Sequence, residues 1–298
     1  MATANTMKIG MSLYSLSRAI RAGELDVLSA IEWIADHGGE HAEVVPGNYI
    51  DVDDPKVVKA IKAKAKKCKI ALSSYTIGAN FITAGEDAHD TTKTEYRKEI
   101  DRVKGQVDIA AALGVKLMRH DVCYRAQDKC SLEQFEKDLP KVVKACQEIA
   151  DYAAGFGITT SVENHGFHFQ GSERVRRLVL GVNRPNYKHT IDVGNFLCAD
   201  EQPMTGLKNN IDIASGIIHF KDFHIRDWVP TTAMHFKTLH GRYLRGAMTG
   251  FGDVNLREVV AFLKEVKYKG FISVEYEGKE PCLEGAEVSL ANVQALFA

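Results

Sequence analysis

The sequence has no excess of charge: Lys and Arg total 38 against 39 Asp and Glu, a formal net charge of -1. That balance gives no bulk attraction to DNA, RNA or an anionic membrane, and a small uncharged substrate fits it better. No stretch approaches the roughly 18 apolar residues of a membrane helix. The first residues, Met1 to Met7, also lack the basic-then-apolar order of a signal peptide. These absences predict a cytoplasmic protein with no membrane partner. The six cysteines, Cys68, Cys123, Cys130, Cys146, Cys198 and Cys282, include no CxxC pair. Neither a disulfide framework nor a thiolate zinc site is therefore expected, and the thiols should be reduced. Proline is sparse and no linker or shift of composition divides the chain, so residues 1–298 are read as one domain. After the first strand-like run stands Ser12-Leu13-Tyr14-Ser15 in place of GxGxxG, which removes the usual support for dinucleotide binding.

What is present is a regular alternation. Short β-branched or apolar runs lie near Lys8–Leu13, His41–Val45, Ile70–Tyr75, Val115–His120, Thr159–Glu163, Tyr187–Asp192, Ile217–Lys221 and Phe271–Tyr276. Between them the helical period predicts helices over Leu25–His37, Pro55–Cys68, Thr91–Leu113, Leu132–Phe156 and Leu256–Val266, with weaker ones near Glu173–Val182 and Leu207–Ala214. Gly38-Gly39, Gly114, Gly157 and Gly270 follow helices, as left-handed caps do. Pro55 suits a helix start, whereas Pro140 is expected to kink or divide its helix. Eight strands in strict βα alternation predict the α/β class and a single (β/α)8 TIM barrel; a doubly wound open sheet is the runner-up. Long segments at Thr76–Asp90 and Ile225–Asp253 leave room for active-site loops.

In such a barrel the reacting groups gather where strands end. The last four runs end in Glu163, Asp192, His219 and Glu275. A single buried carboxylate usually bonds a loop amide or a basic neighbour. Three of them converging on one rim repel unless neutralised, and a divalent cation held by the carboxylates and one imidazole does that directly. Oxygen-rich ligation with one nitrogen favours Mn²⁺, Co²⁺ or Mg²⁺, with Zn²⁺ less expected.

These residues stand in Ser161-Val162-Glu163-Asn164-His165-Gly166, Asp192-Val193-Gly194-Asn195, His219-Phe220-Lys221-Asp222, Gly250-Phe251-Gly252-Asp253-Val254-Asn255 and Val274-Glu275-Tyr276-Glu277-Gly278. Across nearly the whole chain the pattern resembles the xylose-isomerase-like, or sugar-phosphate isomerase/epimerase, superfamily of barrels, which includes ketose 3-epimerases, inosose dehydratases and endonuclease IV. The resemblance implies one divalent metal on Glu163, Asp192, His219 and Glu275, with Glu163 and Glu275 moving protons. Many relatives carry a histidine three residues beyond the aspartate; here that position is Asn195, a substrate-contact candidate that argues against a second metal. Histidines needed for a trinuclear zinc site are replaced by Glu43 and Ser73-Ser74-Tyr75, so DNA repair of the endonuclease IV type is disfavoured. The arginine that epimerases place after the histidine ligand has no secure equivalent; Arg226 lies nearest.

Further substrate contacts are expected from Lys221, which shares a strand face with His219, and from His120 and His165. His224, His235 and His240 are read as solvated loop residues, and Tyr14, Tyr75 and Trp228 as candidates for a wall against a sugar ring. The expected activity is proton transfer next to the carbonyl of a small sugar or polyol through a metal-stabilised enediolate. The alternative is an inosose-type dehydratase or a lyase acting on a keto-polyol or oxidised glycoside; a sugar binder without turnover is less favoured. A homo-oligomer is left open.

Overall fold

The computed structural model describes residues 7–82 and 94–298. Its barrel strands are β1 (Met7–Ser12), β2 (His41–Val44), β3 (Ala71–Ile77), β4 (Leu117–His120), β5 (Thr159–Glu163), β6 (Tyr187–Asp192), β7 (Ala214–Phe220) and, after three short strands, β11 (Gly270–Val274). All pair in parallel and close in the order β1-β11-β7-β6-β5-β4-β3-β2, which is the expected (β/α)8 barrel. The outer layer holds α2 (Val27–Asp36), α3 (Pro55–Cys68), α4 (Thr94–Leu113), α5 (Leu132–Ala154), α6 (Ser172–Val182), α7 (Pro203–Asn210), α8 (Leu256–Glu265) and α9 (Cys282–Phe297), with a short α1 (Ser17–Arg21) after β1. Among the described residues no helix is long and apolar enough to cross a membrane.

Local chemistry sets the element ends. Asp26 caps α2 by accepting from the Ser29 amide at 2.7 Å, and Asp54 caps α3 by accepting from the Lys56 amide at 2.8 Å just before Pro55. Gly114, at φ +80°, ends α4 in the left-handed region where a side chain would be strained. Gly270 is a different case. The left-handed residue after α8 is Lys267, and Gly270 opens β11, where a Cβ would lie 2.3 Å from the Gly216 carbonyl.

Three expectations are corrected. Pro140 does not divide α5, because it sits on the solvent side of the helix; the buried face is carried by Phe135, Val142, Ala145, Ile149 and Ala153. The weak helix expected at Leu207–Ala214 lies earlier, at Pro203–Asn210, and Ala214 already begins β7. Helix α9, where the sequence predicts no element, buries Ala286, Leu290, Val293 and Phe297. The segment expected as a loop at Ile225–Asp253 contains most of a three-stranded antiparallel sheet, β8 (Phe223–Arg226), β9 (Phe236–Lys237) and β10 (Tyr243–Gly246), ordered β8-β10-β9. Of the other expected loop, Thr76 and Ile77 belong to β3, and residues 83–90 lie outside the described residues, as do 91–93 of the expected fourth helix.

Asp222 anchors the return from that small sheet. Its carboxylate accepts from the amides of Phe223, Gly250, Gly252 and Val254. A Cβ on Gly252 would fall 2.1 Å from that carboxylate, which accounts for glycine in the Gly250-Phe251-Gly252-Asp253 motif.

Candidate metal centre and active-site cavity

Parallel register carries the strand-end residues to one rim. Asp192 is level with His219 across β6 and β7, and His219 is level with Ser273, two residues before Glu275, across β7 and β11. Glu163, Asp192, His219 and Glu275 are all buried, and each presents a ligand atom within 4.8 Å of the others. His219 Nδ1 lies 3.5 Å from Glu163 Oε2 and 3.6 Å from Glu275 Oε1. Asp192 Oδ1 is taken up by the amides of Gly194 and Asn195, at 2.8 and 2.9 Å, which turns Oδ2 toward the cluster. His219 Nδ1 has no hydrogen-bond partner among the described residues, and Asp192 Oδ2 has none beyond its ion pair with Lys221 Nζ at 3.2 Å. Buried polar atoms left this way are costly, and three carboxylate oxygens around one imidazole nitrogen suit a divalent cation.

The surroundings orient these groups. Glu43 Oε2 faces His219 Nε2 at 3.0 Å. Glu43 is itself held by the hydroxyls of Thr76, at 2.5 Å, and Ser273, at 3.1 Å. A carboxylate behind a ligand histidine fixes ring orientation and tautomer, leaving Nδ1 for the metal. Arg119 Nε contacts Glu163 Oε2 at 2.8 Å, and its other arm contacts Asp121 at 2.7 Å. Asn195 Nδ2 donates to Glu163 Oε1 at 2.8 Å, and Lys221 Nζ donates to Asn195 Oδ1 at 3.3 Å. Lys221 also meets Glu275 at 2.8 Å, Asp192 at 3.2 Å and Glu277 at 3.6 Å.

Charge is finely balanced here. Burial alone would raise the Glu163 pKa, but Arg119 and then His219 outweigh it and hold the carboxyl well below its usual range. Asp192 is pushed up to about 6, chiefly by burial, with Lys221 only partly offsetting it. Burial would lower His219, yet Glu43, Glu275 and Glu163 raise it well above the ordinary imidazole value. The Lys221 ammonium is likewise stabilised against burial by Asp192, Glu275 and Glu277. Glu43, Glu275 and Glu163 thus favour the imidazolium at His219 in the absence of metal, whereas a metal ligand must be neutral imidazole, so metal and proton compete for this ring.

The cluster opens into a cavity of about 610 Å³. A family model described as the xylose isomerase-like TIM barrel matches residues 31–296. The chain belongs to that family. No curated protein sequence matches it. Among solved structures of this fold it is similar to an IolI protein with a bound zinc atom, at 17% identity, 98% coverage of both chains and a TM-score of 0.74. It is also similar to a D-allulose 3-epimerase from Methylomonas sp. in complex with D-allulose, at 18% identity, 100% and 99% coverage and a TM-score of 0.70. A third similar structure is the probable 3-DHS dehydratase AsbF from Bacillus anthracis, at 14% identity, 98% and 99% coverage and a TM-score of 0.70.

In this family member the other expected contacts divide. Lys221 and His165 line the cavity, and Asn195 sits behind the cluster, bonded to Glu163. His165 Nδ1 is 3.1 Å from Asp121, whose charge raises the imidazole pKa against burial. His120 is not among the cavity-lining residues. Its ring is fully buried between Phe81 and Tyr187, and burial lowers its pKa to about 4. Tyr14 lines the cavity and donates to Glu277 at 2.8 Å. Tyr75 packs in the core, and Trp228 stands 73% exposed away from the cavity lining. Arg226 is exposed on β8 and paired with Asp253. The sequence assigned no site role to Arg119, Asp121 or Glu43: Arg119 and Asp121 flank His120 in one short run, and Glu43 is a single acid in another.

Proposed function

We propose that the protein is a divalent-metal-dependent isomerase or epimerase that moves a proton on a carbon next to the carbonyl of a sugar or polyol. The observation carrying this reading is the convergence of Glu163, Asp192, His219 and Glu275, whose ligand atoms lie within 4.8 Å of one another, with Glu163 and Glu275 lining the cavity. A cation held there would polarise the carbonyl and stabilise the enediolate formed by proton loss.

The chain's own residues divide the remaining work. Glu163 has one oxygen held by Asn195 and the other by Arg119. Glu275 has one oxygen held by Lys221 at 2.8 Å and the other only near His219 Nδ1, at 3.6 Å, and it borders the cavity, so it is the freer carboxylate to take a proton from carbon. Two carboxylates on opposite faces give inversion, whereas one carboxylate returning the proton to the neighbouring carbon gives isomerisation. Lys221, facing the cavity beside Glu275, is placed to hold a developing oxyanion. The D-allulose complex of a similar barrel supports a sugar-sized ligand.

A second reading, dehydration or other elimination, is favoured by His165. Its Asp121 partner favours the protonated imidazole, and it shares the cavity with Glu275, which places it to protonate a leaving oxygen. Metal-loaded protein in D2O separates the two. Solvent deuterium appearing in a recovered keto sugar supports proton transfer, and an unsaturated ketone supports elimination. Neither product from a panel of keto sugars and inososes, with ligand still bound, would leave a sugar binder. Glu275→Gln should abolish the exchange, and unchanged turnover would remove its assigned role.

A further inference from the structure

Lys221 and a metal ion at the cluster cannot both keep the same contacts. Lys221 Nζ is 3.2 Å from Asp192 Oδ2, the oxygen turned toward the ligands, because Oδ1 is held by backbone amides. It is also 2.8 Å from Glu275 Oε2, whose other oxygen faces His219. In the metal-free protein the ammonium therefore offsets two of the three carboxylates of the cluster. A divalent ion on Asp192 Oδ2 meets that ammonium as a like charge at short range, so Lys221 must withdraw. A buried cation that withdraws needs another anion within reach.

Two acceptors lie beside it. Asn195 Oδ1, at 3.3 Å, is neutral, and its amide nitrogen is committed to Glu163. Glu277 Oε2, at 3.6 Å, is charged, half-buried and part of the cavity lining. The position of Glu277 is built from neighbouring elements. Ser15 Oγ donates to the Val274 carbonyl at 3.0 Å and accepts from the Tyr276 amide at 2.9 Å, which ties the turn after β1 to the end of β11. That tie brings Tyr14 beside Glu277, where Tyr14 Oη donates to Oε1 at 2.8 Å and leaves Oε2 for Lys221. From β10, Gly246 packs on the Glu277 backbone so closely that a Cβ there would fall 2.2 Å from the Glu277 carbonyl oxygen. The lysine stem is long and flexible, whereas the carboxylate it can reach is fixed.

We propose that Glu277, braced by Tyr14, is a positioning residue that receives the Lys221 ammonium when a divalent cation takes Asp192 and Glu275. The inference rests on the reading of Glu163, Asp192, His219 and Glu275 as metal ligands. Lys221 stands in for the cation in the metal-free protein. On loading it passes to Glu277, which clears the ligand oxygens and keeps the ammonium beside the cavity.

The test is a double-mutant cycle on Mn²⁺ affinity, measured by chelator competition on the full-length wild type, Glu277→Gln, Lys221→Met and the double variant. Without Glu277 the ammonium stays on the ligands, and Glu277→Gln should lose at least about fivefold in affinity. The part of that loss due to removing a nearby anion survives when Lys221 is absent, and the part due to the stranded ammonium does not. In the Lys221→Met background the same substitution should therefore cost at least about threefold less. Tyr14→Phe keeps every charge and should weaken Mn²⁺ by about two- to threefold only where Lys221 is present. Equal losses in both backgrounds, as a general structural defect would give, overturn the proposal and leave the metal centre in place. A wild type that binds no Mn²⁺ removes the metal centre and this inference together. Crystals of the Mn²⁺-loaded wild type decide the point without any variant. Nζ should then lie nearer Glu277 Oε2 than Asp192 Oδ2, the reverse of the 3.6 and 3.2 Å found here, and an ammonium still on Asp192 refutes the transfer.

Discussion

Replacing Glu43 by Gln tests how the metal site is held, because Glu43 touches no ligand position except through His219. The carboxylate is completely buried, 3.0 Å from His219 Nε2, and the isosteric amide keeps the volume; its carbonyl oxygen can accept from one of the Thr76 and Ser273 hydroxyls, which sit on different Glu43 oxygens, while its NH2 can donate to the other. Loss of such an outer partner costs about 10–100-fold in metal affinity, or roughly 1.4–2.7 kcal/mol. A second effect opposes it. Glu43 is the largest favourable charge raising the His219 pKa, so the wild-type protein must expel a tightly held proton to bind metal. In Glu43→Gln that pKa falls and the proton competes less. The variant's deficit is therefore partly masked at acid pH and fully visible once His219 is neutral in both proteins. Chelator-competition titrations with Mn²⁺ and with Zn²⁺ across pH should show the affinity gap widening as pH rises. A gap that narrows with pH, or a loss under about threefold at the alkaline end, would refute this coupling.

Arg119→Leu strips the charge partner from two buried carboxylates, Glu163 and Asp121, and should cost about 3–5 kcal/mol near neutral pH. Both carboxyls are held below their usual range in the folded protein, so the stability they contribute is present above roughly pH 4 and lost as pH falls through the folded values. Urea denaturation should accordingly find the variant's deficit shrinking on acidification. Lys221→Met removes a buried cation 3.2 Å from Asp192. Metal should bind at least as tightly as before, while KM for the sugar rises roughly tenfold; weaker metal binding with unchanged KM would contradict the assignment. Since burial pushes the Asp192 carboxyl up to about 6, loading should weaken as pH falls through that value, read by the same competition titration.

Strand ends were legible because a parallel barrel places them all at one mouth, so the polar residues closing four consecutive apolar runs had to meet. His120 shows where that logic runs out. Arg119 and His120 are neighbours on β4 and must point to opposite faces, and the sequence did not show which face was the lumen. Arg119 takes the lumen and binds Glu163; His120 points outward into the layer between sheet and helices. Glu43 was hidden similarly, as one acid in a short strand whose partner, His219, lies far along the chain. The β8-β10-β9 sheet was obscure because its pairing is set by tertiary contacts, such as the four amides bound to Asp222, rather than by a strong local pattern.

The number of divalent ions the chain binds, and their position, is the most direct test of the metal centre. Titration of the purified protein with Mn²⁺, followed by electron paramagnetic resonance and by anomalous scattering from crystals, should give one tightly held ion per chain. That ion should lie between Glu163, Asp192, His219 and Glu275, and tight binding should be lost in His219→Ala. An active protein that holds no divalent ion there, or an ion bound equally well by His219→Ala, would contradict it.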